Sequence, residues 1–381
     1  MSISNVRMVL RTLRRANPHL GATCPGTMWA MSVSQPVDID PTIADFAAIT
    51  AWMDAEGLPG GPVGAVAAIG GGTQNIMLRF TRGDREYVLR RGPKHLRPKS
   101  NEVIAREFRL LGALDGAGVR APHVIAACPD DGVIGAVFYL MDPIDGFNPQ
   151  TELPALHAGD AEVRRQMGLS AVEAIARLGG VDYAALGLAD YGRPDGFLER
   201  QVPRWLGELE SYGANEGYPG PEIPGVARIA DWLERHRPAE WTPGILHGDC
   251  HLANMMFEYD SPRVAAMVDW EMSTIGDPLL DLGWQLATRP EPGTAGAGLM
   301  GTLGQVGGLP TQAEMIEHYG RFSDRDLSAV TWYTVLACFK LGIVLEGTHA
   351  RAFAGKAPKQ IGDFLHAVTL ELFDQARRLA E

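Results

Sequence analysis

The residues best suited to chemistry lie just past the middle of the chain. His247-Gly248-Asp249 is followed by Asn254 and, fifteen residues later, by Asp269. Phosphoryl-transfer enzymes of the kinase type use this spacing, with one aspartate beside the attacking hydroxyl and an asparagine and a second aspartate as metal ligands. Asp249 is therefore a candidate catalytic base. Asn254 and Asp269 are candidate Mg²⁺ ligands, because Mg²⁺ prefers oxygen donors.

A β-hairpin is the element that must bring these ligands together. Residues 254–258 and 264–268 have strand-like composition, and residues 260–263 have the composition of a turn. If the turn closes between Ser261 and Pro262, position 254 lies opposite position 269. Asp249 would then stand just outside the metal, where a base would meet an acceptor hydroxyl.

The same segment permits a second interpretation. His247, Asp249 and His251 form an H-x-D-x-H pattern, and on an extended strand their side chains would face one side. This alternative predicts a metal-dependent phosphohydrolase. Such sites usually recruit further histidine and aspartate ligands, and the chain offers Asp269 and Asp277 but no second histidine pair.

The surrounding patterns divide the chain into three regions: an N-terminal extension (1–36), a smaller lobe (37–142) and a larger lobe (143–381). The smaller lobe should begin with a helix capped by Asp40 and ended by Gly57. Strands are predicted at 65–69, 76–80, 86–90, 124–127 and 133–140, with a helix at 101–114. Helices dominate the larger lobe, at 160–179, 198–213, 225–237, 276–288, 312–321, 324–350 and 360–379. The predicted fold class is α+β, with a small antiparallel sheet in the first lobe.

These motifs resemble the aminoglycoside phosphotransferase and choline kinase superfamily. The similarity is carried by His247-Gly248-Asp249-x-His251-x-x-Asn254, Asp269-Trp270-Glu271 and Gly276-Asp277-Pro278-x-x-Asp281-Leu282. The amino-acid sequence of residues 269–282 is most similar to the branch of this superfamily that is linked to acyl-CoA dehydrogenases. The resemblance implies a protein-kinase-like bilobal fold that uses ATP and Mg²⁺. It also implies that His247 and Asp281 support the catalytic loop.

The nucleotide is expected to contact the smaller lobe. A glycine-rich segment between two predicted strands could cover phosphates with its amides, and its candidate residues are Gly71, Gly72, Thr73, Gln74 and Asn75. The resemblance places Arg90, at the end of the third strand, where a lysine is usual, with Glu107 as its partner. Arg91 is a competing candidate for the cation, and Glu102 for the glutamate.

A second nucleotide contact is expected at the end of the first lobe. Residues 138–146 resemble the hinge of the superfamily. By that resemblance, the carbonyl of Asp142 and the amide of Ile144 would bind adenine, with Met141 behind the ring.

The composition of the chain argues against some classes of binding partner. The formal net charge is −12, which argues against general binding to nucleic acid or to an anionic membrane. Four well-separated cysteines without a C-x-x-C pair favour a reducing, cytoplasmic location. No apolar run approaches the roughly 20 residues of a membrane span.

Together these patterns predict an ATP-dependent phosphotransferase that acts on a hydroxyl of a small molecule. The acceptor would be an aminoglycoside-like compound or a hydroxylated acyl-CoA or related metabolite. Besides the phosphohydrolase, a catalytically inactive ATP-binding module remains an alternative, because Arg90 departs from the usual lysine. A homodimer is left open.

Overall fold

The computed structural model describes residues 43–69 and 75–381. They form two compact units, a smaller one of residues 43–69, 75–115 and 121–144, and a larger one of residues 116–120 and 145–381. The predicted extension, the predicted cap Asp40, and Gly71, Gly72, Thr73 and Gln74 lie outside the described residues.

The smaller unit is built on a five-stranded antiparallel sheet. Its strands lie in the order Val63–Ala68, Ile76–Arg82, Arg85–Arg91, Phe138–Met141 and Val124–Cys128. Its hydrophobic face packs Leu78, Phe80, Leu89 and Leu140 into one buried cluster. Burial of these side chains is the main source of stability for such a sheet. The elements are α1 (Phe46–Ala55), β1 (Val63–Ala68), β2 (Ile76–Arg82), β3 (Arg85–Arg91), α2 (Ser100–Leu114), β4 (Val124–Cys128) and β5 (Phe138–Met141).

Two details of this unit differ from the sequence prediction. The first described helix is capped by Asp45, whose carboxylate accepts hydrogen bonds from the amides of Ala47 and Ala48. The last strand begins at Phe138 and not at 133, because residues 131–136 form turns. Gly132 donates its amide to the side chain of Asp130 there, which is an Asx-type turn that interrupts a strand.

Helices make up most of the larger unit. The longest helix, Val330–Phe353, is long and apolar enough to cross a membrane by length and composition, but 83% of its most apolar window is buried inside the protein. It packs as a core helix against the helices Lys359–Leu379 and Leu279–Thr288. The helices are α3 (Ala155–Gly159), α4 (Ala161–Gly179), α5 (Gln201–Ser211), α6 (Val226–Arg235), α7 (Leu279–Thr288), α8 (Ala295–Gly298), α9 (Gly301–Val306), α10 (Gln312–Gly320), α11 (Val330–Phe353) and α12 (Lys359–Leu379).

Two short antiparallel strand pairs enclose the candidate catalytic loop. The hairpin that was predicted is present as β7 (Met255–Phe257) and β8 (Val264–Met267). The pair β6 (Gly244–Leu246) and β9 (Thr274–Gly276) was not predicted. Residues 247–254 run from the end of β6 to the start of β7, so both ends of the loop are fixed by strands.

Candidate active site

The start of the catalytic loop is held by a buried carboxylate. Asp281, in the first turn of α7, accepts hydrogen bonds from the amides of His247 (2.6 Å) and Gly248 (2.9 Å). Burial raises the pKa of Asp281 despite these bonds and the nearby charges of His247 and Lys340. Asp281 therefore fixes the first two residues of the loop through their backbone amides.

Gly248 lies where the kinase template has an arginine, and its surroundings explain why glycine occupies this position. Its φ is +84°, and a Cβ atom at this position would lie 2.4 Å from the carbonyl oxygen of Met272. A side chain would be both strained and in collision with backbone. The tight approach of the two segments thus requires glycine.

The carboxylate of Asp249 is buried, and one of its two oxygens accepts a hydrogen bond from Asn254. Asn254 Nδ2 donates to the Asp249 carbonyl oxygen (2.9 Å) and to its Oδ2 (3.2 Å). Asp249 Oδ1 lies 3.5 Å from His251 Nε2, and neither atom has a hydrogen-bond partner among the described residues. One oxygen is therefore fixed by Asn254, and the other lies beside His251 without a hydrogen-bond partner among the described residues.

Charge keeps Asp249 ionised. Burial alone would raise the pKa of Asp249, but the neighbouring His251 and, to a smaller extent, Lys340 hold it below its ordinary value. Asp249 is therefore an anion at neutral pH, able to accept a hydrogen bond from a hydroxyl.

Both candidate metal ligands lie at one end of the hairpin, with a register that differs by one residue from the prediction. Met255 pairs with Met267, and the amide of Val268 donates to the carbonyl of Asn254 (2.8 Å). Asn254 thus lies opposite position 268, and Asp269 is one residue further on. The turn closes between Asp260 and Ser261, one position earlier than predicted, since the amide of Glu258 donates to the carbonyl of Arg263. The irregularity between Met256 and Phe257 offsets part of this change, so a difference of one residue remains at Asn254.

The donor chemistry of this pair fits Mg²⁺. Asp269 adopts a left-handed conformation, with φ of +67°, which is uncommon for a residue other than glycine and often marks a functional position. Asn254 uses its side-chain nitrogen on Asp249, so its oxygen is the atom that a cation would meet. One carboxylate and one amide oxygen suit a hard ion that also binds substrate phosphates.

Lys340 of α11 also lies at this site, although no sequence motif pointed to it. Its ammonium group donates to the carbonyl oxygen of Gly248 (2.9 Å) and lies 4.4 Å from the ring centre of Trp284 and 5.6 Å from that of Trp205. Burial lowers the pKa of Lys340 to about 8, against the opposing charges of Asp249 and Asp281. A lone lysine within an apolar helix gives no local signal of such a role.

The H-x-D-x-H arrangement does not form as the alternative required. His247 Nε2 lies 3.0 Å from the carbonyl oxygen of Val268, and its ring packs against Trp270. The side chain of His247 is therefore committed to the hairpin, whereas Asp249 and His251 approach each other. Within the described ranges, the three do not make a cluster of metal-ligand atoms.

In the smaller unit the two candidate arginines are clearly distinguished. Arg90 Nε donates to Glu107 Oε2 (2.9 Å), and both side chains are buried. Arg91 donates instead to the backbone carbonyls of Gly92, Ile134 and Ile43. The structure thus pairs Arg90 with Glu107, and Glu102 is exposed.

The predicted hinge residues lie at the end of β5 and just beyond it. Asp142 donates its amide to the carbonyl of His123 (3.0 Å), and its carboxylate contacts Arg85 and His123. Met141 is buried, and Ile144 is half-buried. Asn75, the described member of the glycine-rich segment, immediately precedes β2.

Comparison with known sequences identifies relatives over most of the chain. The sequence profile of the phosphotransferase enzyme family matches residues 65–317. Acyl-CoA dehydrogenase family member 10 of Mus musculus is 30% identical over 75% of this chain, and family member 11 of Homo sapiens is 30% identical over 76%. The alignments span 26% and 36% of the lengths of those two proteins.

Solved structures give the same fold. A Ralstonia eutropha protein with a provisional aminoglycoside phosphotransferase designation is 28% identical, with a TM-score of 0.70 over 88% of this chain and 98% of its own. An aminoglycoside phosphotransferase in a ternary complex with ADP and hygromycin B is 15% identical, with a TM-score of 0.54 over 86% of this chain and 97% of its own. The predicted kinase-like bilobal α+β fold is confirmed.

Proposed function

Because this chain belongs to the phosphotransferase enzyme family, we propose that it transfers the γ-phosphate of MgATP to a hydroxyl of a small molecule. One observation carries the proposal. Asp249 is a buried anion with one oxygen fixed by Asn254 and the other without a hydrogen-bond partner among the described residues. A hydroxyl that donates to Oδ1 would satisfy that atom and be oriented for attack.

The role of Asp249 follows from its charge. With a pKa below its ordinary value, Asp249 is a weak base, so it orients the hydroxyl first and accepts the proton late in the reaction. Phosphoryl transfer tolerates this, because its loose transition state depends more on positioning and electrostatics than on early deprotonation. Asp281 and Lys340 keep the loop in place through the backbone of Gly248.

The remaining residues deal with the negative charge of the nucleotide. Asn254 and Asp269 would hold Mg²⁺, which when bound offsets charge on the phosphates. Arg90, oriented by Glu107, would contact the phosphates in place of the usual lysine. A guanidinium group keeps the positive charge and can bind two phosphate oxygens at once, so this departure does not require an inactive protein.

For the acceptor we propose a hydroxylated acyl-CoA or a related hydroxylated metabolite. The two mammalian relatives, each 30% identical, carry acyl-CoA dehydrogenase names. The Ralstonia eutropha protein, at 28% identity, has an aminoglycoside phosphotransferase designation, which makes aminoglycosides the second class of acceptor. The net charge of −12 suits a cationic acceptor, but such charge also serves solubility.

Calorimetry and a turnover screen test these assignments in sequence. ATP should bind the full chain in the presence of Mg²⁺ and bind more weakly without it or after Asp269→Asn. ADP release should then be measured with hydroxyacyl-CoA compounds, matched acyl-CoA compounds lacking the hydroxyl, and aminoglycosides. Turnover is expected with the hydroxyacyl-CoA compounds and not with the matched acyl-CoA compounds, whereas turnover with aminoglycosides alone would favour the second class of acceptor. Mg²⁺-dependent ATP binding without any turnover would favour the inactive module, and absence of ATP binding would refute the proposal.

A further inference from the structure

Two helices of the larger unit each carry an acidic residue and a histidine three positions apart. Glu346 and His349 lie on α11, and Asp363 and His366 lie on α12. Residues three apart share one face of a helix, and these two helices pack against each other. The Glu-x-x-His spacing on facing helices is a known way of building a metal site inside a bundle.

The side chains meet at distances close to those of a metal site. His366 Nδ1 lies 2.6 Å from Glu346 Oε2, and the rings of His349 and His366 stack with centres 4.4 Å apart. One ligand atom from each of Glu346, His349 and His366 lies within 4.8 Å of the other two. Ligands of one zinc ion stand about 2.0–2.2 Å from it, so small side-chain rotations would bring all three into contact with a common ion.

Burial and hydrogen bonding prepare these residues for a cation. Glu346 is fully buried, and its second oxygen accepts a hydrogen bond from Tyr218 (2.7 Å). Partners of this kind orient ligands in known metal sites. The buried Nδ1 of His349 has no hydrogen-bond partner among the described residues, and its closest acidic group is Asp363, 3.9 Å away. A buried nitrogen left in this state is costly unless something binds it.

We infer that Glu346, His349 and His366 bind one divalent transition-metal ion of the Zn²⁺ type, with the half-exposed Asp363 as a fourth ligand. Two imidazoles with carboxylates favour zinc and its neighbours over Mg²⁺. The ion would replace the hydrogen bond between Glu346 and His366 with one bond to each, and His366 would bind through Nδ1 as a neutral imidazole that carries its proton on Nε2. The site is separate from the one formed by Asp249, Asn254 and Asp269.

The consequence would be a link between two helices. α11 carries Lys340, which holds the carbonyl of Gly248, and α12 covers the opposite side of α11 through the contact of Phe373 with Gly342. An ion bound to both helices would fasten α11 in place. Without an ion, the hydrogen bonds of Glu346 with Tyr218 and His366 would themselves form a brace, and this is the competing explanation.

Metal titration of the full chain separates the two explanations. The chain is stripped with a chelator and titrated with Zn²⁺ against a chromophoric competitor. The wild type should bind one equivalent at this site with submicromolar affinity. His349→Gln and His366→Gln should weaken it by at least about 10- to 100-fold, since loss of a supporting partner alone has that effect. Asp249→Asn, which alters the active site, and His236→Gln, at an exposed histidine, should bind as the wild type does.

His349→Gln is the decisive variant, because its Nδ1 has no hydrogen bond to lose and the fold should be kept. Circular dichroism checks the fold, and Zn²⁺ should raise the melting temperature of the wild type but not of this variant. Co²⁺ substitution should give absorption bands of a nitrogen- and oxygen-ligated ion without a strong thiolate band. Equal zinc affinity in His349→Gln and wild type, or no binding by the wild type, would overturn the inference.

Discussion

Replacement of Lys340 by methionine should change how the free energy of unfolding depends on pH. Burial lowers the pKa of Lys340 from 10.5 to about 8 in the folded protein. Between those two values the folded state binds fewer protons than the unfolded state, so stability rises with pH. At about 1.36 kcal/mol for each pKa unit, deprotonation of Lys340 should raise the free energy of unfolding by about 3 kcal/mol between pH 8 and pH 10.5. The cost of burying the ammonium group is fully present below pH 8.

Urea unfolding of wild type and Lys340→Met from neutral pH to about pH 10.5 measures this effect. Tyrosines and cysteines also titrate in this range, but they are common to both proteins and cancel in the difference. The wild type should therefore gain stability relative to the variant as pH rises through the window. Lys356→Met, at an exposed lysine, is the matched control and should show no such change. A difference between wild type and Lys340→Met that stays constant with pH would refute the description of Lys340 as a buried ammonium group.

Three further substitutions test the loop and the nucleotide contact. Gly248→Ala should abolish turnover and lower the melting temperature more than Gly57→Ala, which shares a positive φ but has open space around it; equal effects would contradict the close contact with Met272. Asp281→Ala leaves two buried amides without acceptors and should cost about 2–6 kcal/mol in urea unfolding, at about 1–3 kcal/mol each, and a loss below about 1 kcal/mol would argue against the brace. Arg90→Met should weaken ATP binding about 10- to 100-fold in calorimetry, the equivalent of one charge-assisted hydrogen bond, and an unchanged affinity would remove Arg90 from the phosphate contact.

The catalytic loop could be predicted from the sequence because its signal is local. Asp249, Asn254 and Asp269 lie within 21 residues of sequence, and the hairpin between the last two has ordinary strand and turn composition. The register was wrong by one residue, because the turn closes one position earlier than predicted and the irregularity between Met256 and Phe257 offsets only part of that change. Irregular pairing of this kind is decided by packing around the hairpin and not by the turn alone.

Sequence patterns could not predict the contacts between residues that lie far apart in the chain. Lys340 reaches Gly248 from 92 residues away, and its helix shows an apolar composition typical of core. The strands β6 and β9 have three residues each, too short for a periodic pattern. Arg90 and Arg91 are adjacent in sequence and alike in charge, so the sequence could not show which of them pairs with Glu107. They have different partners because successive side chains of a strand point to opposite faces of the sheet.

The most direct test of the proposed function is the rate of γ-phosphate transfer by Asp249→Asn. Asparagine has the same shape and can still accept a hydrogen bond from Asn254, but it carries no charge and is not a base. With the best acceptor from the turnover screen, kcat should fall by about 10²- to 10⁴-fold, while the affinity for MgATP measured by calorimetry stays within about twofold, well under 1 kcal/mol. A variant that keeps the wild-type rate would contradict the assignment of Asp249 and, with it, the proposed site of phosphoryl transfer.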